Sequence, residues 1–341
     1  MAEVESIPVA GRPARSLVWD GEELVDPVGG GRRWGPDGTE RKTSVHWGYP
    51  FDRAAVSPSG RYAVIYVERG TKGIVVDLSG PRVLREINRS YYHSAAYDYP
   101  VALGRLSDGR EVLVHCPDEY NRLEVEELTT GQRLTEGARR PEDVFQSRLE
   151  VSPGGRYLLV AGWIWHPIGV AHVHDLTAAL TDPEALDDVT LLQAAHIDAE
   201  VASACWLDEN RLVVAAADES LEWTEPPGLS AGQLGVWSMA DQCWEHRSTV
   251  DFSLGTLLGR GSQVVSLHGH PRLIDLATGA VVGEWPEVKV PKKEGSYGRR
   301  DTPTPVAAIS PDGTRLAVAQ EDGIALIELP DDAGLGTRRV P

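Results

Sequence analysis

Ala307-Ala308-Ile309-Ser310-Pro311-Asp312-Gly313-Thr314-Arg315-Leu316-Ala317-Val318-Ala319 holds two short apolar runs joined by a tight turn. Proline presets φ in such a turn, Asp or Ser hydrogen-bonds the local backbone, and glycine accepts the positive-φ closing position. The same device recurs at Ser57-Pro58-Ser59-Gly60 and Ser152-Pro153-Gly154-Gly155, with degenerate copies at Ser107-Asp108-Gly109 and Leu207-Asp208-Glu209-Asn210. Runs such as Ala54-Ala55-Val56 lead into the turns, and residues 61–67, 156–161 and 314–319 leave them with strand-favouring composition. A period of about fifty residues built this way marks stacked four-stranded units.

A second marker sets the register within each unit. Val76-Asp77-Leu78, His174-Asp175-Leu176, Ile274-Asp275-Leu276 and Ile327-Glu328-Leu329 share an apolar-acidic-Leu pattern, and Glu126-Glu127-Leu128 and Val236-Trp237-Ser238 hold the same place. Turns at Thr130-Gly131 and Thr278-Gly279 then lead to a fourth strand. The unit is strand a, tight turn, strand b, loop, strand c, turn, strand d, which is the antiparallel meander of a β-propeller blade. First strands near Val56, Ala102, Val151, Ala204, Thr256 and Ala308 give six units. The last unit stops after strand c near Pro330, so a strand from the N-terminal region, residues 16–19 or 22–28, is expected to complete it and close the ring. Seven blades is the alternative; it needs residues 15–47 to form most of a blade, with turns at Gly29-Gly30-Gly31 and Gly35-Pro36-Asp37-Gly38.

The Ser-Pro-Asp-Gly turns and apolar-Asp-Leu strand ends resemble those of the WD40-like propeller family, including its divergent bacterial relatives. His196 ahead of Val201-Ala202-Ser203-Ala204-Cys205-Trp206 is similar to the family's histidine before strand a, and Trp237-Ser238 comes near its Trp-Asp dipeptide. The resemblance covers residues 52–330 and implies an all-β, WD40-like β-propeller of four-stranded antiparallel blades. One propeller domain over 15–330 is expected, with tails at 1–14 and 331–341.

The chain has 341 residues, 41% hydrophobic and 25% charged, as expected for a globular protein. Its net charge of −18 repels phosphates and anionic lipid, so neither nucleic acid nor membrane is an expected partner. Lys289, Lys292, Lys293, Arg299 and Arg300 form the one basic stretch and read as a solvated loop. Residues 1–15 lack a signal-peptide core, no run is long enough to span a bilayer, and Cys116, Cys205 and Cys243 are an odd, widely spaced set. A reduced, cytoplasmic setting is expected. Arg exceeds Lys by 28 to 5, a composition expected of a GC-rich bacterial genome.

In a propeller the d-to-a and b-to-c loops share one face. That register places Tyr91, Tyr92, His93, Tyr97, Asp98 and Tyr99 together with His115, Asp118, Glu119, Tyr120 and Asn121, and with Trp163, Trp165 and His166. Glu222-Trp223 and His268-Gly269-His270-Pro271 belong to the same face. Aromatic side chains there offer large contact area with a polar tip, the chemistry of a protein or peptide recognition surface. The same rings can also simply cover the ends of sheets.

A metal or catalytic reading would need His93, His115, His166, His268 and His270 to converge with Asp98, Asp118 and Glu119, but no pair has a diagnostic spacing. His172 and His174 share one strand face, and neighbours His115 and Cys116 point apart. No nucleophile elbow or phosphate loop is present, so no cofactor is indicated. Two insertions interrupt the repeat: residues 177–189, a candidate short helix, and residues 220–232, a lengthened b-to-c loop. The expectation is a non-catalytic scaffold for a protein or peptide; the alternative is a propeller enzyme, hydrolase- or lactonase-like, with a polar or metal-bearing axial pocket.

Overall fold

Seven antiparallel sheets follow one another along the chain in the computed structural model, which describes residues 4–165, 167–189, 195–221, 228–293, 295, 297 and 302–332. Blade 1 is Val18–Asp20, Glu23–Asp26, Arg32–Trp34 and Glu40–Arg41, and blade 2 runs from Arg53–Val56 to Arg82–Asn88. Blades 3 to 6 begin at Val101–Arg105, Leu149–Val151, Ile197–Trp206 and Thr256–Arg260. Blade 7 is Ala307–Ile309, Arg315–Ala319 and Gly323–Glu328, completed on its outer edge by Val4–Pro8. The six first strands expected from the turns are all present; the count is seven because residues 18–41 form a complete blade of their own. The closing strand is Val4–Pro8, in register from Val4↔Ile327 to Pro8↔Gly323, and not residues 16–19 or 22–28. It lies in the stretch expected to be a tail.

Both sequence markers have a hydrogen-bonded cause. In the turns, Gly60, Gly155 and Gly313 donate to the carbonyls of Ser57, Ser152 and Ser310, each at 2.8 Å. The serine hydroxyls accept from Tyr62, Tyr157 and Arg315 N–H at 3.2, 3.0 and 2.9 Å. Gly155 sits at φ 75°, and a Cβ there would fall 1.8 Å from Arg105 O, so no other residue fits. At the strand ends, Asp77, Asp175 and Asp275 accept from backbone N–H groups of the following turn, while Leu78 and Leu176 donate back to strand b at 2.7 Å.

The core is a ring of interfaces. Each middle strand is buried on both faces because neighbouring residues point to opposite neighbouring blades. Val64 and Val75 pack toward blade 3, whereas Ala63, Ile65, Ile74 and Val76 pack toward blade 1. Blade 7 meets blade 1 in the same way, Ala317, Ile324 and Leu326 against Leu17, Leu24 and Trp34, so the circle is closed by packing as well as pairing. In blade 4 the 177–189 insertion replaces strand d. A short helix, Leu176–Ala179, and a 3-10 turn, Pro183–Leu186, are capped by Asp175 and Asp182 and bury Leu176, Ala179 and Leu186. No helix among the described residues is long and apolar enough to cross a membrane.

The loop joining blade 6 to blade 7 crosses the face that carries the inter-blade loops. It contains the basic stretch, and Lys293 is buried rather than solvated. Its ammonium lies 2.9 Å from Glu68 Oε1, 2.7 Å from Asp98 Oδ1 and 2.6 Å from Thr304 Oγ1. Arg53 holds Glu68 Oε2 at 3.0 Å and Arg69 holds Asp98 Oδ1 at 2.9 Å. Tyr297 bridges to Tyr97 through the backbone. This strap thus ties blades 6 and 7 to blades 2 and 3 across the disc. Burial opposes the Glu68 charge, but Arg53, Lys293 and Thr304 hold its carboxyl down to about 2. Arg299 and Arg300 lie outside the described residues.

Two outcomes follow from this architecture. Ile7→Ala should lower unfolding stability by about 2–4 kcal/mol, because Ile7 is buried between blades 7 and 1; urea titration measures it, and a cost below about 0.5 kcal/mol would show that the N-terminal strand does not seal the ring. Lys293→Met should cost about 3 kcal/mol near neutral pH by leaving buried carboxylates short of a cation. Glu68's folded pKa lies below its ordinary value of 4.5, so its stabilising share is complete above that pH and is lost as pH falls toward 2. The gap between wild type and Lys293→Met should therefore narrow over that window, and a pH-independent gap would contradict the pairing.

Candidate functional site

Phe145 is the hub of the candidate site. It lies in the loop between blades 3 and 4 and is fully buried, with its backbone bridged to Trp163. Trp163 stacks on it at 3.8 Å with an interplanar angle of 6°, and Tyr120 lies at 4.5 Å, Trp165 at 5.2 Å and Tyr97 at 5.3 Å. Tyr92 and His93 close the group at 5.9 and 6.0 Å. Tyr297 from the strap meets Trp163 edge-on at 5.0 Å. Rings from blades 2 to 4 and from the blade 6–7 strap therefore share one face of the disc.

The backbone of this cluster is built by a buried cation. Arg89, just after the last strand of blade 2, donates to Gly70 O at 2.7 Å, Ser94 O at 2.5 Å, Tyr97 O at 3.0 Å and Asp98 O at 3.2 Å. Its guanidinium also lies 4.4 Å from the Tyr97 ring and 4.9 Å from Tyr99. Three carbonyls of residues 90–98 aimed at one cation curl this segment into a compact loop, and the bond to Gly70 O ties it to the neighbouring loop. His93 takes φ 49° there, a left-handed conformation that costs a non-glycine residue about 1–2 kcal/mol. Its ring is held edge-on to Tyr92 at 4.6 Å and Trp165 at 5.2 Å. Trp165 stands at the tip of a small hairpin, Trp163–Ile164 with Ile168–Gly169, that projects from blade 4.

The residues expected at the surface divide into two groups. Tyr91, Tyr92 and Trp165 are 80%, 46% and 42% exposed, and His93, Asp118 and Glu119 are also open to solvent. Tyr120 is half-buried, its hydroxyl donating to Asp143 Oδ1 at 2.6 Å; burial and this carboxylate push the phenol well up. Asn121 is half-buried too and braces the loop by donating to Glu142 O at 3.1 Å. Tyr97, Asp98, Tyr99, His115 and Trp163 are buried. Tyr99 packs between blades 2 and 3 beside Tyr66, away from the rim. Asp98 belongs to the strap's ion-pair network. His115 Nε2 sits 3.1 Å from Glu126 Oε2, which Arg85 also approaches at 2.8 Å. His166 and Glu222-Trp223 lie outside the described residues.

Several of the described residues considered for metal or nucleophilic chemistry are engaged elsewhere. Asp118 pairs with Arg133 at 2.7 Å on the rim, and His270 pairs with Glu284 at 2.6 Å on blade 6. His172 and His174 are buried in blade 4, where burial drives both imidazoles down, His174 to about 4. Burial likewise pushes the Cys116 thiol up. Among the described residues no group of three or more His, Cys, Asp or Glu side chains is arranged to hold a metal ion.

Phe145, Tyr297, Arg89 and Lys293 are the site-building residues not anticipated as such. Phe145 and Tyr297 sit in irregular inter-blade loops, where the blade period says nothing of spatial neighbours. The one available signal was rarity: the chain has only three phenylalanines.

No family model matches the chain, and no curated protein matches it by sequence. Among solved structures, that of U3-55K, a WD40 protein, is similar with a TM-score of 0.56 over 96% of this chain and 98% of that one, at 12% identity. At that identity the likeness bears on fold alone.

Proposed function

We propose that the chain is a non-catalytic scaffold that holds a protein or peptide on its aromatic face. The observation that carries this reading is the Phe145-centred cluster, with Tyr91, Tyr92 and Trp165 left open on a rigid base. Buried rings fix the orientation of exposed ones, so little conformational entropy remains to be lost on binding. Aromatic side chains backed in this way are the usual energetic centres of interfaces. The competing class, a propeller enzyme with an open axial pocket, finds less support in the geometry. Lys293, Glu68, Asp98 and Thr304 form a paired, buried network on this face, and His115 and His270 are each paired with a carboxylate elsewhere. A net charge of −18 disfavours nucleic acid and anionic membranes as partners, and free thiols at Cys116, Cys205 and Cys243 suit a reducing, cytoplasmic setting.

The combined Tyr92→Ala, Tyr120→Ala and Trp165→Ala variant tests the surface. Quantitative affinity capture from host extract should recover a defined set of proteins with wild type, reduced about tenfold or more with the variant. Undiminished capture by a variant whose unfolding transition remains cooperative would refute the aromatic face. Tyr91→Ala alone, which among the described residues meets no packed ring, should weaken capture without altering stability.

A further inference from the structure

The aromatic face runs into a groove whose walls are acidic. Two long strands of blade 5, Ile197–Trp206 and Arg211–Ser220, carry Glu200, Asp218 and Glu219 up to this face. With Pro167 of the blade 4 loop, Phe252 of the blade 5–6 loop and Tyr297 of the strap, they line a groove of about 410 Å³. Tyr297 is 44% exposed and belongs to both features: it lines the groove and meets Trp163, which lies 5.5 Å from Trp165. The aromatic cluster and the acidic groove are therefore joined through Tyr297 and the buried Trp163.

Charge decides what the groove accepts. Asp218 and Glu219 are exposed, and Glu200 spends one oxygen on Gly169 N–H at 3.2 Å. Among the described residues none of these three carboxylates has a cationic partner, in contrast to the carboxylates of the strap. Phe252 already carries Arg272 at 4.8 Å, and that guanidinium is held by Glu284 at 2.9 Å, so Tyr297 is the ring left open. A side chain that suits the site needs a positive head for the carboxylates and a flat or aliphatic body for the tyrosine. Arginine meets both needs, with bidentate donors and a stacking plane, and lysine meets them less completely.

We propose that this groove takes an arginine- or lysine-bearing segment of the peptide held on the aromatic face, the cation lying between Tyr297 and the carboxylates of Glu200, Asp218 and Glu219. The proposal rests on the peptide-binding reading above and specifies its partner's chemistry. The aromatic cluster supplies contact area; the groove supplies selection by charge and a dependence on ionic strength.

Random dodecapeptides displayed on phage provide the probe. They are selected on wild type, on the groove variant Glu200→Gln, Asp218→Asn and Glu219→Gln, and on the control Glu22→Gln and Glu209→Gln, whose exposed acids lie in a-to-b turns. Peptides from wild type and control should be enriched in Arg and Lys over the unselected library. Those from the groove variant should lose that enrichment while keeping their apolar and aromatic preference. Fluorescence anisotropy of a wild-type-selected peptide should show affinity for the groove variant reduced about ten- to hundredfold. Selected peptides without basic enrichment would overturn the groove and leave the peptide scaffold standing. Basic enrichment that survives in the groove variant would also overturn it, assigning the effect to the overall negative field. Failure to recover any peptide with folded protein would overturn both readings.

Discussion

Antiparallel pairing of Val4–Pro8 with Gly323–Glu328 is the constraint on which the rest of the molecule depends. Every other blade is made from consecutive chain and could form beside its neighbour without a ring. This pairing, with the burial of Ile7 and the packing of blade 7 on blade 1, joins the two ends. Once the circle is closed, the blade 6–7 loop faces blades 2 and 3, and Lys293 can reach Glu68 and Asp98. Tyr297 of the strap meets Trp163 on the aromatic face for the same reason.

The face is organised by opposite kinds of interaction at two depths. Below, buried ions and carbonyls do the positioning: Lys293 draws the strap down, and Arg89 gathers residues 90–98. Arg148 adds a third tie, donating to Ala161 O at 3.1 Å and Ala202 O at 2.9 Å, with burial lowering its guanidinium to about 10. Such groups must be satisfied once buried, so they tolerate few alternative geometries. Above them, ring-on-ring packing around Phe145 adds about 0.5–1.5 kcal/mol per pair beyond simple burial. The exposed outer rings thus stand on a base that is already ordered, and the acidic walls of blade 5 extend it in one direction.

Most of the architecture was legible because its repeating turns have strict local chemistry. Ser57, Ser152 and Ser310 must accept from the following strand, and Gly155 has no room for a Cβ, so these positions write themselves into the sequence. Blade 1 lacked that signature. Its first hairpin turns on Gly21 and Glu22, and its strands have three, four, three and two residues. The closing strand was obscure for a related reason: its partners are at the far end of the chain, and Glu5 and Ser6 read as tail rather than strand. Local pattern cannot reveal a pairing set by a contact more than three hundred residues away.

The site was legible to about the same depth. Blade register grouped Tyr92, His93, Tyr120, Trp163 and Trp165, whose rings do meet, yet it could not separate Tyr91, Tyr92 and Trp165, which are open, from Tyr97, Tyr99 and Trp163, which are packed. Period along a loop carries no burial information, and a buried arginine or lysine looks like a solvated one until its carbonyls and carboxylates are in place. Hydrogen exchange of the protein, alone and saturated with the tightest peptide selected on it, tests the shared surface most directly. Protection should appear together in residues 91–99, 118–121, 163–165 and 295–297, which are distant in sequence. Protection confined to the turns at 57–60, 152–155 and 310–313, on the opposite side of the disc, would contradict it.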